Sequence, residues 1–274
     1  GDRGAAAERT GGLRRAGARA AACRRTTLKP GKVMKISVVV PAFNEERLLA
    51  ASLQGLREAM SAFARRGWAA ELIVCDNNST DRTAEIARAA GAQVVFEPVN
   101  QISRARNAGA ARAQGDWLIF VDADSSPSRA LCEDVAQEIA SGRCLAGGST
   151  VRIESDRRLV RSLGRLWNAL SRINRWGAGA FVFCEAAAFK RLGGFSQELY
   201  AAEEIDLFRR LKRLARRERR TIAILHRHPL ATSGRKARLY TGREMLRFML
   251  KTVATGGRTL RDPRECFSWY DGRR

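Results

Sequence analysis

Two carboxylates separated by a single residue, Asp122 and Asp124, stand directly after a short apolar run at 117–121. The run has the length and the composition of a strand buried inside a sheet that carries helices on both faces. Ligands of such sheets gather at the carboxyl ends of the strands. Carboxylate oxygens at that edge are suited to Mg²⁺ or Mn²⁺, and a divalent ion there would bind a diphosphate. The pair therefore favours an enzyme that uses a nucleotide.

Polar residues also follow two other predicted strands. Asn44 and Glu45 come after the first strand, and Asp76 and Asn77 come after the second. Because the carboxyl ends of parallel strands lie at one edge of a sheet, we expect the three clusters to converge there.

A simpler interpretation is that these polar residues only form turns and cap helices. It fits Ser79, Thr80 and Asp81 well, since a helix is predicted to follow them directly. It fits the stretch 122–124 poorly, because no helix is predicted to begin before about residue 127.

The elements that position these residues alternate between strands and helices. Predicted strands cover 36–40, 71–75, 92–96 and 117–121, and predicted helices cover 45–65, 81–90 and 104–113. This order implies an α/β fold with a Rossmann-like, doubly wound, mostly parallel central sheet flanked by helices. The less regular second half has predicted strands at 145–153, 179–184 and 221–225 and predicted helices at 158–175, 186–192, 203–217 and 240–253. We expect it to complete the same sheet in a single domain.

The positive charge of the chain lies mainly at its two ends. Residues 1–33 contribute +7 (nine basic minus two acidic residues), and residues 206–274 contribute +14 (twenty minus six), which leaves +1 of the total +22 for the centre. We interpret 1–33 as a disordered basic extension or as residues ahead of a natural start at Met34, and a transit-like peptide is a third possibility. The expected organisation is completed by one domain over 34–256 and a basic tail over 257–274.

Composition also excludes several classes of protein. The six cysteines are scattered without the paired spacing of a metal finger, so we expect reduced structural thiols. No segment approaches the roughly 20 apolar residues that cross a bilayer, and we expect a cytoplasmic protein. The nearly neutral centre carries no recognised nucleic-acid-binding motif, so we expect no specific nucleic-acid partner.

Several segments, taken in order, resemble the motifs of family 2 glycosyltransferases, whose members have the GT-A fold. The segments are 38–45 (VVVPAFNE), 74–81 (VCDNNSTD), 105–109 (ARNAG) and 122–124 (DAD), followed by 193–195 (GGF) and 203–207 (EEIDL). The resemblance implies that residues 34–125 bind the nucleotide-sugar and that residues 126–256 form the acceptor side. It also implies an inverting, hexosyltransferase-like reaction that moves a sugar from a nucleotide-diphospho-sugar, most often a UDP-sugar in this family, to an acceptor hydroxyl.

The resemblance further implies a donor site in the first half of the chain. Its residues would be Pro41, Ala42, Phe43, Glu45, Asp76, Arg106, Asp122, Ala123 and Asp124. Phe43 would offer an apolar face to the base, and Asp76 would accept a hydrogen bond from a base N–H. Asp122 would face the ribose, and Asp124 would bind Mn²⁺ or Mg²⁺, which neutralises the departing diphosphate.

Glu204 stands where the family usually has an aspartate that acts as the catalytic base. Carried over by position, Glu204 would deprotonate the acceptor hydroxyl, although the extra methylene changes its reach. Asp206, two residues further on, is a rival for this role. The alternative is that these acids simply favour the N-terminus of a helix through its dipole.

The chain has two histidines, His226 and His228, both expected just after a strand. A neutral imidazole is a suitable further metal ligand beside Asp124, and the sequence does not choose between the two. The following stretch 232–236 (TSGRK) could supply hydroxyls and cations to the diphosphate.

The basic run at 209–220 is either a solvated helix face or a surface attracted to an anionic membrane. A peripheral contact at the inner face of the membrane would suit a lipid-linked acceptor, while a small-molecule acceptor and the oligomeric state stay open.

Two other functions compete with that of a glycosyltransferase. A sugar-1-phosphate nucleotidyltransferase would need a glycine-rich loop after the first strand, where residues 41–44 contain no glycine. A non-enzymatic protein that binds nucleic acid or anionic surfaces would explain the charge.

Overall fold

A computed structural model of the chain describes residues 33–154, 158–177, 179–233, 242–266 and 270, so most of the expected extension and residues 234–236 lie outside the described residues. The strands within those ranges are β1 (Lys35–Ala42), β2 (Ala69–Asp76), β3 (Gln93–Phe96), β4 (Trp117–Val121), β5 (Ser125–Ser126), β6 (Cys144–Glu154), β7 (Phe181–Glu185) and β8 (Thr221–Ser233). The helices are α1 (Leu49–Ala64), α2 (Thr83–Ala89), α3 (Ile102–Arg112), α4 (Arg129–Ala140), α5 (Arg158–Asn174), α6 (Ala186–Arg191), α7 (Glu203–Glu218) and α8 (Gly242–Ala254), followed by a 3-10 helix at Arg258–Arg261.

The strands form one sheet in the order β3-β2-β1-β4-β7-β6-β8-β5. Strands β1 to β4 are mutually parallel, β7 runs antiparallel to both of its neighbours, and β8 is again parallel to β6. The predicted α/β fold with a mostly parallel central sheet is confirmed. The sequence pattern missed β5, because a strand of two residues has no periodicity to detect. It also ended the last strand at residue 225, whereas β8 continues to Ser233 through a polar stretch.

The sheet separates two hydrophobic cores, one on each face. Successive side chains of a strand point to opposite faces, and the apolar run of β4 supplies both. Trp117, Ile119 and Val121 enter the core covered by α1 and α4, whereas Leu118 and Phe120 enter the core that contains residues of α6 and α7. A strand that is apolar at every position is therefore buried on both sides, as its sequence predicts.

Helix α3 lies unusually close to the sheet because of one glycine. A Cβ atom at Gly109 would lie 2.4 Å from Cγ1 of Val39, so any larger residue would push the helix away from β1. This close approach matters because α3 carries Arg106 and Asn107, whose side chains reach the strand ends.

The described residues of the expected C-terminal tail pack against the domain. The backbone N–H of Tyr200 donates to the carbonyl of Leu260 at 2.7 Å, and the Cys266 side chain is buried. The Tyr270 hydroxyl accepts a hydrogen bond from the backbone N–H of Ile102 at 3.3 Å. The last of these contacts places Tyr270 beside the N-terminus of α3.

All five cysteines that the structure describes are buried, unpaired thiols, in line with the sequence-based expectation. Burial raises the pKa of Cys75 to about 12, so this thiol stays protonated at neutral pH. Among the helices of the described ranges, none is both long enough and apolar enough to cross a membrane.

We predict that Phe120→Ala lowers the free energy of unfolding by about 3–5 kcal/mol, because removal of a buried ring leaves a cavity. The Phe120 ring is fully buried and contacts the rings of Phe189 and Phe195 at centroid distances of 5.2 and 5.0 Å. Urea denaturation measures the change. Phe96→Ala is the control, since Phe96 is 60% exposed and its loss should cost far less. Similar losses in the two variants would contradict this packing.

Candidate active site

The predicted polar clusters do converge at one edge of the sheet. Ala42 at the end of β1 pairs with Asp76 at the end of β2, and Val39 of β1 pairs with Phe120 of β4. The loops that follow these three strands therefore begin side by side. Strand β7 runs in the opposite direction and starts at the same edge, where the backbone N–H of Asp122 donates to the carbonyl of Ala180 at 3.2 Å.

The loops after β1 and β2 hold each other in place. The backbone N–H of Asn44 donates to Oγ of Ser79 at 3.0 Å, and the backbone N–H of Thr80 donates to Oδ1 of Asn44 at 2.8 Å. The backbone N–H of Glu45 likewise donates to Oγ1 of Thr83 at 2.8 Å. Ser79 and Thr80 therefore join the two loops and do not cap a helix, whereas Asp81 accepts the backbone N–H of Thr83, the first residue of α2, at 2.9 Å as the simpler interpretation expects.

These loops bring the predicted base-binding residues together. Pro41, Ala42 and Glu45 are buried, and Phe43 is half-buried in the loop after β1. Asp76 is also buried, and its Oδ1 accepts the backbone N–H of Ser79 at 3.0 Å. The two loops thus bring an aromatic ring and two carboxylates together at the carboxyl ends of β1 and β2.

Arg106 lies beneath the site, with its side chain only 2% exposed. Its Nη2 donates to Oδ1 of Asp122 at 2.8 Å and to the carbonyl of Gly179 at 2.9 Å, and its Nη1 donates to Oε1 of Glu203 at 2.6 Å. The contacts of Arg106 give no support to the predicted contact with the nucleotide, which stays a prediction. Both terminal nitrogens of its guanidinium bind protein acceptors, and the side chain positions Asp122 and Glu203 instead.

The charge of this buried arginine is stabilised by its neighbours. Burial alone would lower the pKa of Arg106, but the negative charges of Asp122, Glu203 and Glu204 outweigh this effect and raise the pKa above its ordinary value. The cation is thus permanent, and the carboxylates that surround it are held in fixed positions.

Asn107, the next residue of α3, binds the turn that precedes α7. Its Oδ1 accepts the backbone N–H of Phe195 at 2.9 Å, and its Nδ2 donates to the carbonyl of the same residue at 2.9 Å. Gly194 has φ of +73°, and a Cβ atom there would lie 2.5 Å from Oδ1 of Asn107. Sequence reasoning assigned no role to Asn107, although it stands in the segment 105–109 that carries the family resemblance. Arg106 and Asn107 together link the donor-side segments to the acceptor-side segments.

Glu204 lies in the first turn of α7, directly after a residue with strained backbone. Ala202 has φ of +61°, a left-handed conformation that costs a non-glycine residue on the order of 1 kcal/mol or more. The Glu204 carboxyl group packs against Gly179, where a Cβ atom would lie 3.1 Å from its Cδ. Burial and the negative charge of Glu203 raise the pKa of Glu204 to about 7, and Arg106 opposes this rise. A carboxylate that titrates near neutrality is suited to general base catalysis.

Asp206, the predicted rival of Glu204, is committed to another interaction. Its Oδ2 accepts a hydrogen bond from Nε of Arg210 at 2.8 Å and lies 2.7 Å from Nη2 of the same residue in an ion pair. Arg210 also donates to the carbonyls of Leu192 and Gly194. Asp206 therefore orients an arginine that ties α7 to the turn around residue 194, and the geometry does not favour it as a base.

Asp124 lies in the short turn between β4 and β5. Its Oδ2 accepts a hydrogen bond from Oγ of Ser233 at 2.6 Å, and the neighbouring Ala123 is buried. Ser233 belongs to the stretch 232–236 that was expected near the diphosphate, and this end of β8 does reach the aspartates. Within the described residues, no three His, Cys, Asp or Glu side chains cluster so as to hold a metal ion. One carboxylate fits a divalent ion that keeps water and substrate phosphates as its other ligands.

The expectation that His226 or His228 ligates a metal beside Asp124 is not supported by the structure. Ser149 of β6 pairs with Leu225, but Val151 pairs with Leu230, so β8 bulges outward over residues 226–229. Both histidines are exposed on this bulge within the strand, and Nδ1 of His228 lies 3.0 Å from Oδ2 of Asp134 on α4. Asp124 instead meets Ser233, at the far end of β8.

A mixed α/β domain with a mostly parallel central sheet is the fold of the GT-A glycosyltransferases among the solved structures that this chain resembles. A family model described as glycosyl transferase family 2 matches residues 37–192, more than half of the chain. The chain belongs to this family. The match decides between the competing enzyme classes in favour of the glycosyltransferase.

Individual relatives agree with this assignment. An uncharacterized glycosyltransferase of Mycobacterium tuberculosis is 34% identical over 113 residues, which cover 41% of this chain and 47% of the relative. This chain is similar in fold to the mannosyltransferase PcManGT from Pyrobaculum calidifontis, solved with GDP-Man and Mn²⁺ (TM-score 0.61, 19% identity, 80% of this chain and 61% of that one). It is also similar to S. aureus TarS 1–349 solved with UDP (TM-score 0.57, 23% identity, 73% of this chain and 60% of that one). The chain thus matches about half of the curated relative's length.

We predict that Arg106→Gln lowers the free energy of unfolding by about 3–5 kcal/mol, because it leaves buried carboxylates without their cation. Urea denaturation at neutral pH measures the loss. Arg104→Gln, on the same helix, is the matched control. Arg104 is partly exposed and lies 4.0 Å from Glu97, and an exposed pair of this kind is worth less than about 1 kcal/mol. If Arg106→Gln were as stable as the control, the positioning role of Arg106 would be refuted.

Proposed function

We propose that the protein is a metal-dependent, inverting glycosyltransferase that moves a hexose from a UDP-sugar to an acceptor hydroxyl, with Glu204 as the catalytic base. One observation carries the proposal. Arg106 joins Asp122 on the donor side to Glu203, the neighbour of Glu204, through hydrogen bonds of 2.8 and 2.6 Å. The donor-side aspartate and the candidate base are thereby held at one edge of the sheet.

The donor would bind against the loops after β1 and β2. Phe43 would contact the face of the base, and Asp76 would accept a hydrogen bond from a base N–H. Asp122 would contact the ribose through Oδ2, since Oδ1 accepts a hydrogen bond from Arg106. The TarS structure was solved with UDP and PcManGT with GDP-Man, and the carboxylate of Asp76 is compatible with either base. We favour uracil because it is the usual base in the family.

Glu204 would take the proton of the acceptor hydroxyl as the oxygen attacks the anomeric carbon and the nucleoside diphosphate leaves. A single displacement of this kind inverts the configuration at that carbon. A double displacement would need a carboxylate placed to attack the sugar. Asp122 is held by Arg106 and Asp206 is held by Arg210, so neither is oriented as a nucleophile.

Asp124 would bind Mn²⁺ or Mg²⁺ together with the donor phosphates. Its Oδ2 also accepts a hydrogen bond from the Ser233 hydroxyl. When bound, such an ion supplies positive charge beside the departing diphosphate. The PcManGT structure was solved with Mn²⁺, which supports this choice of ion.

The proposal is tested directly by a thermal-shift screen of UDP- and GDP-sugars in the presence and absence of Mn²⁺. A ligand that binds the folded state raises the melting temperature with its concentration. We expect stabilisation by UDP and UDP-sugars only with the metal. Stabilisation by GDP alone would assign a different donor, and no response to any nucleotide would refute the proposed function.

We predict that Glu204→Gln keeps its affinity for UDP and Mn²⁺ but lowers kcat by about 10²–10⁴-fold, because the amide cannot accept a proton. Calorimetry measures the affinity, and release of UDP in the presence of an acceptor or of water measures turnover. In the unmodified enzyme, kcat/KM should rise as the pH passes upward through about 7, since Glu204 accepts a proton only when it is ionised.

Asp206→Asn is the matched control for Glu204→Gln. It keeps the helix N-terminus and weakens only the interaction with Arg210, so it should retain turnover and the same acid limb of the pH profile. Loss of turnover in Asp206→Asn with activity retained in Glu204→Gln would move the base to Asp206.

We predict that Asp124→Ala loses the Mn²⁺-dependent part of the affinity for UDP, by at least about 100-fold, because even outer-shell partners of a metal are worth about 10–100-fold. Calorimetry with and without Mn²⁺ measures the loss. Asp134→Ala is the control, since Asp134 contacts His228 away from the site. Unchanged metal-dependent affinity in Asp124→Ala would contradict the assignment of the ligand.

A further inference from the structure

Helix α5 exposes a row of large apolar side chains. Leu163, Leu166, Leu170 and Ile173 are 56%, 57%, 44% and 79% exposed. Their spacing of three, four and three residues places all four on one side of the helix, one above the other. We call these four residues the apolar row.

The apolar row is separate from the face by which α5 packs on the domain. That inner face meets β6, where Asn168 accepts the backbone N–H of Val151 at 2.9 Å and donates to the carbonyl of the same residue at 2.8 Å. Ser171 is buried on the same face, and a Cβ atom at Gly164 would lie 3.3 Å from Ile153. The helix is therefore already anchored, and the row is not needed for the core.

A row of arginines lies beside the apolar row. Arg158, Arg161, Arg165 and Arg172 are exposed and follow one another at helical spacing, between the apolar row and the far edge of the inner face. Residues 158–177 contain no aspartate or glutamate. The outward side of α5 is thus half apolar and half cationic, which is the pattern of a helix that lies in a membrane interface.

Helix α7 adds further positive charge at the C-terminal end of α5. Nζ of Lys212 donates to the carbonyl of Asn174 at 2.9 Å, and both Lys212 and Arg209 lie over the ring of Trp176. Burial and the neighbouring charges of Arg216, Arg209 and Arg175 lower the pKa of Lys212. Cations that crowd closely enough to repel one another form a surface that favours an anionic partner.

We propose that the apolar row and the flanking arginines of α5 bind the surface of an anionic lipid bilayer. The leucines and Ile173 enter the boundary between headgroups and acyl chains, and the arginines bind lipid phosphates. A second copy of the chain is the other candidate for covering this row. It would bring the same cationic face against this one, and that repulsion favours the lipid surface.

The position of α5 places this surface near the candidate active site. If the proposed function holds, this position also indicates the chemical class of the acceptor. Ile173 and Gly179 are separated by six residues, which span at most about 22 Å. Gly179 contacts the carboxyl group of Glu204, and its carbonyl binds Arg106. A bilayer that contacts α5 therefore lies near the candidate base, and the acceptor class is an amphiphile whose hydroxyl is presented at the lipid surface.

The test is co-sedimentation of the full chain with vesicles. We expect binding to vesicles of phosphatidylglycerol mixed with phosphatidylcholine, and much weaker binding to phosphatidylcholine alone. Salt raised to about 0.5 M should weaken binding, because it screens the arginines. Equal binding to both vesicle types, or no binding to either, would overturn the proposal.

Two variants assign the binding to α5. Leu166→Gln with Ile173→Gln should lower the vesicle partition coefficient at least about tenfold, since two large apolar side chains no longer leave water. Val33→Gln is the matched control, because Val33 is 59% exposed but lies before β1, at the opposite end of the sheet. Equal partition of the double variant and the control would refute the role of the apolar row. Circular dichroism checks that the variants are folded, and Arg165→Glu with Arg172→Glu tests the same surface without changing an apolar residue.

Two readouts keep this inference apart from the proposed function and from dimerisation. UDP affinity with Mn²⁺ should be the same in the double variant and in the unmodified protein, so loss of vesicle binding alone leaves the proposed function intact. Light scattering measures the mass in solution. A dimer that the double variant dissociates, without any vesicle binding by the unmodified protein, would assign the apolar row to a second copy.

Discussion

The buried guanidinium of Arg106 is the interaction on which the site depends. Removing a cation and its carboxylate partners from water is costly, and the cost is offset only when the geometry satisfies them closely. Both terminal nitrogens of Arg106 are satisfied here by Asp122, Glu203 and the carbonyl of Gly179, whereas its buried Nε has no hydrogen-bond partner within the described residues. These three acceptors come from the end of β4, the start of α7 and the segment before β7. A single side chain thus fixes the relative position of elements that are far apart in the sequence.

The antiparallel strand β7 explains how both halves of the chain reach one edge of the sheet. If β7 were parallel to β4, it would begin at the opposite edge of the sheet, and the segment between α5 and β7 would lie far from Asp122. Because β7 runs against β4, Ala180 and Gly179 lie beside Asp122 at the edge where the donor-side loops begin. Strand β8 then runs parallel to β6 and returns to the same edge, where Ser233 meets Asp124.

Much of this architecture could be predicted from the sequence, and the remainder depends on contacts that have no local pattern. Apolar runs such as 117–121 and amphipathic stretches such as 203–217 gave the order of elements, because period and composition are local properties. The partners of Arg106 could not be predicted, since an arginine on a helix is usually solvated and its acceptors lie 16 and 97 residues away. The histidines were misplaced because the outward bulge of β8 depends on its pairing with β6, which the sequence does not reveal.

The contact between Gly179 and Glu204 couples the sizes of the side chains that these two positions can hold. This chain has glutamate at position 204, where the resemblance to the family implies the shorter aspartate, and it accommodates the extra methylene beside residue 179, which has no side chain. A Cβ atom there would lie 3.2 Å from Oε1 of the glutamate, which is shorter than an ordinary van der Waals contact. The two positions are therefore expected to change together in evolution: a relative with a shorter acid at 204 has room for alanine at 179, whereas a relative that keeps glutamate favours glycine, since an alanine would force the glutamate to shift by a few tenths of an ångström.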